Sequence, residues 1–398
     1  MSTNSLLAEA RALLPETIAL RREIHRYPEI GNDLPRTRER VLEALDGLPL
    51  DIHLHETTSG IVGVLRGGLP GPAIVLRGDM DALNMPEDTD LDFASEVESA
   101  MHACGHDLHT AMLVGAAKLL SAHQGEIPGS VVFMFQPGEE GCHGARHMLE
   151  EGVLDVVSPR PTGAFAVHVT AQIPSGVVSH RPGPEMASAD EIHVTITGRG
   201  GHASAPHLAA DPVPVAAQIV LAVETALTRE VSALDPAVVT FGSIQAGTTH
   251  NVIPEAAYMQ GTVRTLSEAV RSHVASMLDR VVTNVAAAHG LHAELNVVTG
   301  YPVTVNDHEF AAMVTDVATD LLGDDAVVPL ETPIMGAEDW SYVLQRVPGI
   351  MAFLGACPPD LVAGEAPNNH SNRVRFDEDA MAPGIALYAA VALEHLGS

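Results

Sequence analysis

Met101-His-Ala-Cys-Gly-His-Asp-Leu-His-Thr110 gathers His102, Cys104, His106, Asp107 and His109 into eight residues, then runs into the apolar Ala111-Met-Leu-Val-Gly-Ala-Ala-Lys-Leu-Leu120. Helix neighbours recur at three and four residues, so a Cys and a His two positions apart cannot share a helical face. Cys104-Gly105-His106 therefore reads as a loop that presents both side chains just before a helix over about 107–123. Thiolate and imidazole are ligands of a borderline-soft divalent metal such as zinc. The blander alternative is a buried cysteine beside a structural histidine.

Downstream, the buried strand Ser130-Val-Val-Phe-Met-Phe135 runs into Gln136-Pro-Gly-Glu-Glu140. Two adjacent carboxylates in such a place repel each other and lose solvation, which favours protonating one unless a cation lies between them. A dinuclear metal centre resolves the conflict, with one carboxylate ligating and the other facing the water to be activated. A solvated turn is the alternative, but the rigid Phe-Gln-Pro-Gly lead-in favours a site anchored on the strand.

Strands and helices alternate around these two stretches. Helices are expected over 3–27 and 36–47, and buried strands at Ile61–Arg66, Ala73–Arg77 and Gly163–Val169, the last carrying His168. Gly78-Asp-Met-Asp81 closes one of these strands, at the end where open α/β sheets keep their sites. This order predicts an α/β domain with a mostly parallel sheet flanked by helices. The pattern changes near Gly183. Strand 191–197, helix 211–229, strands 238–244 and 258–265, helix 267–289 and strand 292–298 follow the ferredoxin-like order. The expected organisation is a catalytic domain over 1–183 and 297–398, interrupted by an inserted α+β lid or dimerisation domain over 184–296.

Composition narrows the partners. The 398 residues carry 21 basic and 51 acidic side chains, a net charge of −30. Nucleic acids and anionic membrane surfaces both require a basic face, so neither is an expected partner. Three cysteines are too few for a disulfide framework and suit a reducing compartment. The N-terminal stretch lacks the basic and apolar regions of a leader, and no apolar run is read as approaching the ~20 residues of a bilayer span. A cytoplasmic protein is expected.

Ordered motifs extend over almost the whole chain: Arg21-Arg-Glu-Ile-His-Arg-Tyr-Pro-Glu29, Arg77-Gly-Asp-Met-Asp-Ala-Leu83, His102-Ala-Cys-Gly-His-Asp-Leu-His109, Phe135-Gln-Pro-Gly-Glu-Glu140, Gly200-Gly-His-Ala-Ser-Ala-Pro-His207, Asn251-Val-Ile-Pro254, Gly261-Thr-Val-Arg264 and Glu338-Asp339. With them the chain resembles the aminoacylase-type zinc metallopeptidase family. It is most similar to the branch with hippurate hydrolase, N-acyl-L-amino acid amidohydrolases and auxin-conjugate hydrolases. The resemblance implies Cys104, His106, Glu140, His168 and His370 as ligands of two divalent ions, with Cys104 bridging. Zinc ranks above manganese, cobalt or nickel. The resemblance further implies Glu139 as general base, Asp81 as a partner behind the ligands, and His202 as the oxyanion donor acting across a dimer interface. Asn251 and Arg264 would hold the substrate's carboxylate. Where many relatives have Gly, Pro and His-Pro, this chain has Leu108, Asn84 and His370-Ser371.

The implied activity is cleavage of N-acyl-L-amino acids to a carboxylic acid and a free amino acid, by a homodimer paired through the inserted domain. A dipeptidase or carboxypeptidase would use the same site. Cys104 as a nucleophile with His106 is disfavoured, because the two are local neighbours and Glu139-Glu140 would have no role. A non-enzymatic metal-dependent binding protein is the alternative of another class, and the intact base and ligand set argues against it.

Overall fold

The strands Ile61–Arg66, Pro128–Gln136, Gly163–Pro174 and Gly349–Cys357 are buried along most of their length instead of on alternate residues, as strands are when both faces of their sheet are covered. In the computed structural model, which describes residues 3–397, they belong to an eight-stranded sheet. Its order is Leu50–Leu54, Ile61–Arg66, Pro128–Gln136, Leu69–Asp79, Gly163–Pro174, Gly349–Cys357, Val178–His180, Val327–Pro329. The central strands pair in parallel, and antiparallel pairs lie toward the margins. Helices His106–Ala122 and Met381–Gly397 pack on Leu69–Asp79. The carboxyl ends of the parallel strands bring Asp79 opposite Gln136, and His168 opposite Phe353.

The sheet belongs to a unit made of the chain through Gly183, Val305–Glu331 and the residues from Asp339 on. The edge strand Leu50–Leu54 escapes the sequence reading because it is exposed nearly throughout and carries no apolar run. The expectation that no segment reaches spanning length needs correction. Glu378–Gly397 is 20 residues long and contains an 18-residue stretch with a mean hydropathy of 1.2. Its apolar surface has a packing cause: it is mostly buried, against the helices Thr3–Arg26, His106–Ala122 and His308–Leu322 and the sheet.

The second unit comprises Pro184–Thr304 with Thr332–Glu338. The four strands of its main sheet lie in the order Ala237–Ala246, Ala256–Thr265, Asp190–Thr197, His292–Thr299, all antiparallel. Counted along the chain this is 2-3-1-4, the ferredoxin-like arrangement. Helices Pro212–Glu230 and Glu268–Ala288 cover one face around Ile192, Val194, Ile219, Leu278 and Val282. Asp211 caps the first helix by accepting from the Val213 amide at 3.0 Å, with Pro212 in its first turn.

The unit ends later than the expected residue 296. That position lies inside the strand His292–Thr299, and the chain beyond it stays tied in: Gly300 N donates to Asp190 Oδ1 (3.0 Å), and Arg271 Nη2 donates to Gly300 O (3.1 Å). The later segment joins through backbone bonds, Ile334 N to Glu185 O (2.8 Å) and Ala187 N to Ile334 O (3.1 Å).

Candidate metal centre

Six of the expected residues converge at the carboxyl end of the parallel strands. Their potential ligand atoms form three overlapping groups, each with all atoms within 4.8 Å: Cys104–His106–His168, Cys104–Glu140–His370 and His106–Glu139–Glu140. Cys104 Sγ lies 3.4 Å from His168 Nε2 and 3.3 Å from His370 Nε2, and His370 Nε2 lies 3.1 Å from Glu140 Oε1. Cys104 is thus common to two groups, the position a bridging thiolate would occupy.

Backbone carbonyls set the direction of two rings. His106 Nδ1 donates to Asp81 O (2.8 Å) and His168 Nδ1 donates to Val169 O (2.9 Å), which leaves each Nε2 lone pair for a ligand. Asp81 lies behind the cluster, and its carboxylate accepts from the amides of Glu139 (2.9 Å) and Glu140 (3.0 Å). It therefore holds the acidic loop in place.

A buried polar layer supports the cluster, and the sequence reading assigned it no roles. Asp79 accepts from His109 Nδ1 at 2.6 Å and pairs with Arg77 Nη1 at 2.6 Å. Gln136 joins Arg77 to Asp339, accepting from Arg77 Nε (3.0 Å) and donating to Asp339 Oδ1 (2.7 Å). Asp339 Oδ2 accepts from the Ala145 amide (2.8 Å), at the start of helix Gly144–Glu150. On the other side Asp107 takes Arg21 Nε (2.7 Å) and His25 Nδ1 (2.8 Å). The available signal was an Arg and an Asp at the end of an apolar strand, where only partnered charges survive burial.

The electrostatics of the cluster demand positive charge. Burial opposes a proton on His106, yet Asp79 and Cys104 outweigh it and raise its pKa well above the usual value. Hydrogen bonds to Cys104 and Glu140 raise His370 to about 10. Burial, aided by neighbouring His109, lowers His168 well below the usual value and keeps its ring neutral, as a ligand must be. His106 Nε2 is also buried with no hydrogen-bond partner, although Asp79 Oδ2 lies 3.4 Å away. An orphaned ring nitrogen among a thiol and carboxylates fits a divalent metal.

Gly105 sets the close approach of this loop. Its φ is +91°, and a Cβ there would lie 2.3 Å from Val169 Cγ2. Gly105→Ala is expected to destabilise the protein by roughly 2–5 kcal/mol, left-handed strain plus overpacking, read as a lowered urea midpoint. An unchanged midpoint would show that the loop relaxes freely.

His202, Asn251 and Arg264 belong to the second unit. His202 and Asn251 are neighbours: Gly201–His202 pairs with Val252–Ile253, and Ala203 N donates to Asn251 O (3.1 Å). His202 Nδ1 accepts from the Ser204 amide (3.1 Å). A backbone amide only donates, so the ring proton lies on Nε2. Arg264, on Ala256–Thr265, donates to Val263 O (3.1 Å) and to the Thr262 hydroxyl, and no carboxylate pairs with it among the described residues.

Comparison with known proteins decides the family. The model of peptidase family M20/M25/M40 matches residues 75–394. The chain belongs to this family. It is 38% identical over 381 residues to "Thermostable carboxypeptidase 1" of Saccharolobus solfataricus, covering 95% of this chain and 94% of that one. It is 35% identical over 384 residues to "N-acetylcysteine deacetylase" of Bacillus subtilis, covering 96% and 97%. The crystal structure of the Bacillus subtilis YXEP protein, described as a dinuclear metal binding peptidase of family M20, superposes with a TM-score of 0.84 at 32% identity, covering 97% of this chain and 99% of that one. The M20 chain is accordingly a hydrolase with an α/β catalytic fold.

Proposed function

We propose that this M20 hydrolase is an N-acyl-L-amino acid amidohydrolase with a dinuclear metal centre, zinc before manganese, cobalt or nickel. The observation that carries the reading is the pair of ligand groups sharing Cys104, with Glu139 beside them. Cys104, His106, Glu140, His168 and His370 would hold the ions. Bound metal supplies a water of lowered pKa and polarises the amide carbonyl. Glu139 accepts the proton of that water and delivers it to the departing nitrogen. It is only 6% exposed, so bulk water competes little for its carboxylate. His202 offers Nε2–H where negative charge develops on the carbonyl oxygen, and Arg264 with Asn251 receives the substrate's carboxylate. A guanidinium with no carboxylate partner among the described residues lets a chain of charge −30 accept an anion.

The relative named as a deacetylase of an N-acylated amino acid supports the acyl-amino-acid reading. The relative named as a carboxypeptidase favours a second one, cleavage of a C-terminal peptide bond by the same groups. We also propose a homodimer through the inserted unit, and the cytoplasm as its location, which suits three free cysteines.

Chelation followed by metal add-back, with a panel varying acyl group and amino acid independently, tests the reading. Metal-depleted protein should be inactive and recover with about two ions per chain, and Cys104→Ala should lose at least one ion. Activity indifferent to chelation would sink the metal reading. Faster turnover of dipeptides than of every N-acyl amino acid would establish the second one.

A further inference from the structure

Three of the proposed ligands, Cys104, His168 and His370, come from segments far apart in the chain, and the residue before His370 reaches the other two segments with its side chain. Asn369 Nδ2 donates to Cys104 O (3.1 Å) and to Val169 O (2.9 Å), while its Oδ1 accepts from Ala171 N (3.4 Å). This orientation of the amide is the one that satisfies all three contacts, because two are carbonyl acceptors and the third is an N–H donor. Val169 O is the same oxygen that takes His168 Nδ1–H, so Asn369 fixes the acceptor that aims His168. On the far side, Val169 N donates to His109 Nε2 (2.7 Å), whose Nδ1 donates to Asp79. The next residue, His370, has a left-handed backbone (φ +68°), and its amide donates to Ala103 O (2.9 Å). That conformation is costly for a histidine and persists only where neighbouring contacts over-determine it.

We infer that Asn369 is a positioning residue: its carboxamide ties the backbone behind Cys104, His168 and His370 into one unit and so sets the spacing of three metal ligands. The inference rests on the metal-centre reading above, and it adds a residue that touches neither metal nor substrate. Partners of this kind typically change metal affinity by about 10–100-fold.

Asn369→Asp keeps the shape but turns the donor into an acceptor facing two carbonyls. Asn369→Leu removes the donor without adding charge. Zn²⁺ affinity of the full chain is measured by competition with a chromophoric chelator, and thermal unfolding of the metal-free protein is followed in parallel. Asn369→Asp is expected to bind Zn²⁺ about 10–100-fold more weakly than wild type, with Asn369→Leu in between. The metal-free forms should melt close together, which separates positioning from a purely structural role. If Asn369→Asp does not fold, Asn369→Leu decides by the same criterion. Affinities within twofold of wild type, or a loss accounted for by the metal-free melting shift, would overturn the inference alone. A wild-type chain that binds no Zn²⁺ would overturn the metal reading and this inference with it.

Discussion

Glu139→Gln is expected to lower turnover by about 10²–10⁴-fold while metal content stays at the wild-type level. The substitution preserves size and polarity and removes only the ability to take a proton. Glu139 is held by its amide on Asp81 Oδ1, a contact that the side-chain change leaves intact. Its neighbour Glu140 faces His370 and shares a ligand group with Cys104, so the two adjacent carboxylates have separable tasks. KM should change less than kcat, because the proton is transferred only on the way to the transition state. Metal analysis alongside steady-state kinetics checks both parts. A variant that loses metal but keeps its rate per loaded site would exchange the roles of Glu139 and Glu140.

The residues that could be read from sequence were those whose chemistry is local. Cys104 and His106 stand out because two-residue spacing cannot be helical, and Glu139-Glu140 because two carboxylates close a buried strand. His168 and His370 carry no such mark. One lies in an apolar strand and the other in a polar loop, and only the family resemblance selected them from 21 histidines. Asp79, His109 and Asn369 were visible as residues but not as participants. Apart from the pair of Asp79 with Arg77, their contacts run to backbone groups or to residues tens of positions away, and a hydrogen bond to a distant peptide leaves no periodicity. The ferredoxin-like order was legible because each element keeps its own period, 2 for strands and 3.6 for helices. The end of the insert was not, since Gly300 is held by Asp190 and Arg271 from earlier in the chain.

His202→Ala should lower kcat by about 10²–10³-fold, the loss typical when one oxyanion donor is removed. The Ser204 amide donates to His202 Nδ1, which leaves Nε2 of this exposed side chain to carry the ring N–H. That is the form needed to meet an oxygen that becomes negative. The five proposed ligands and Glu139 all belong to the first unit, whereas His202 belongs to the second. In the homodimer proposed here, His202 completes the site of the partner subunit. Mixing His202→Ala with Glu139→Gln chains tests this directly. Acting in trans, each heterodimer has one site carrying both lesions and one site carrying neither, so activity reappears as subunits exchange. With full exchange half of the dimers are mixed, and one site in four becomes intact. Recovery toward about a quarter of wild-type activity is therefore expected. No recovery, with exchange verified by mass spectrometry, would place His202 in the same chain as the site it serves or outside catalysis. Wild-type turnover in His202→Ala itself would remove it from the mechanism.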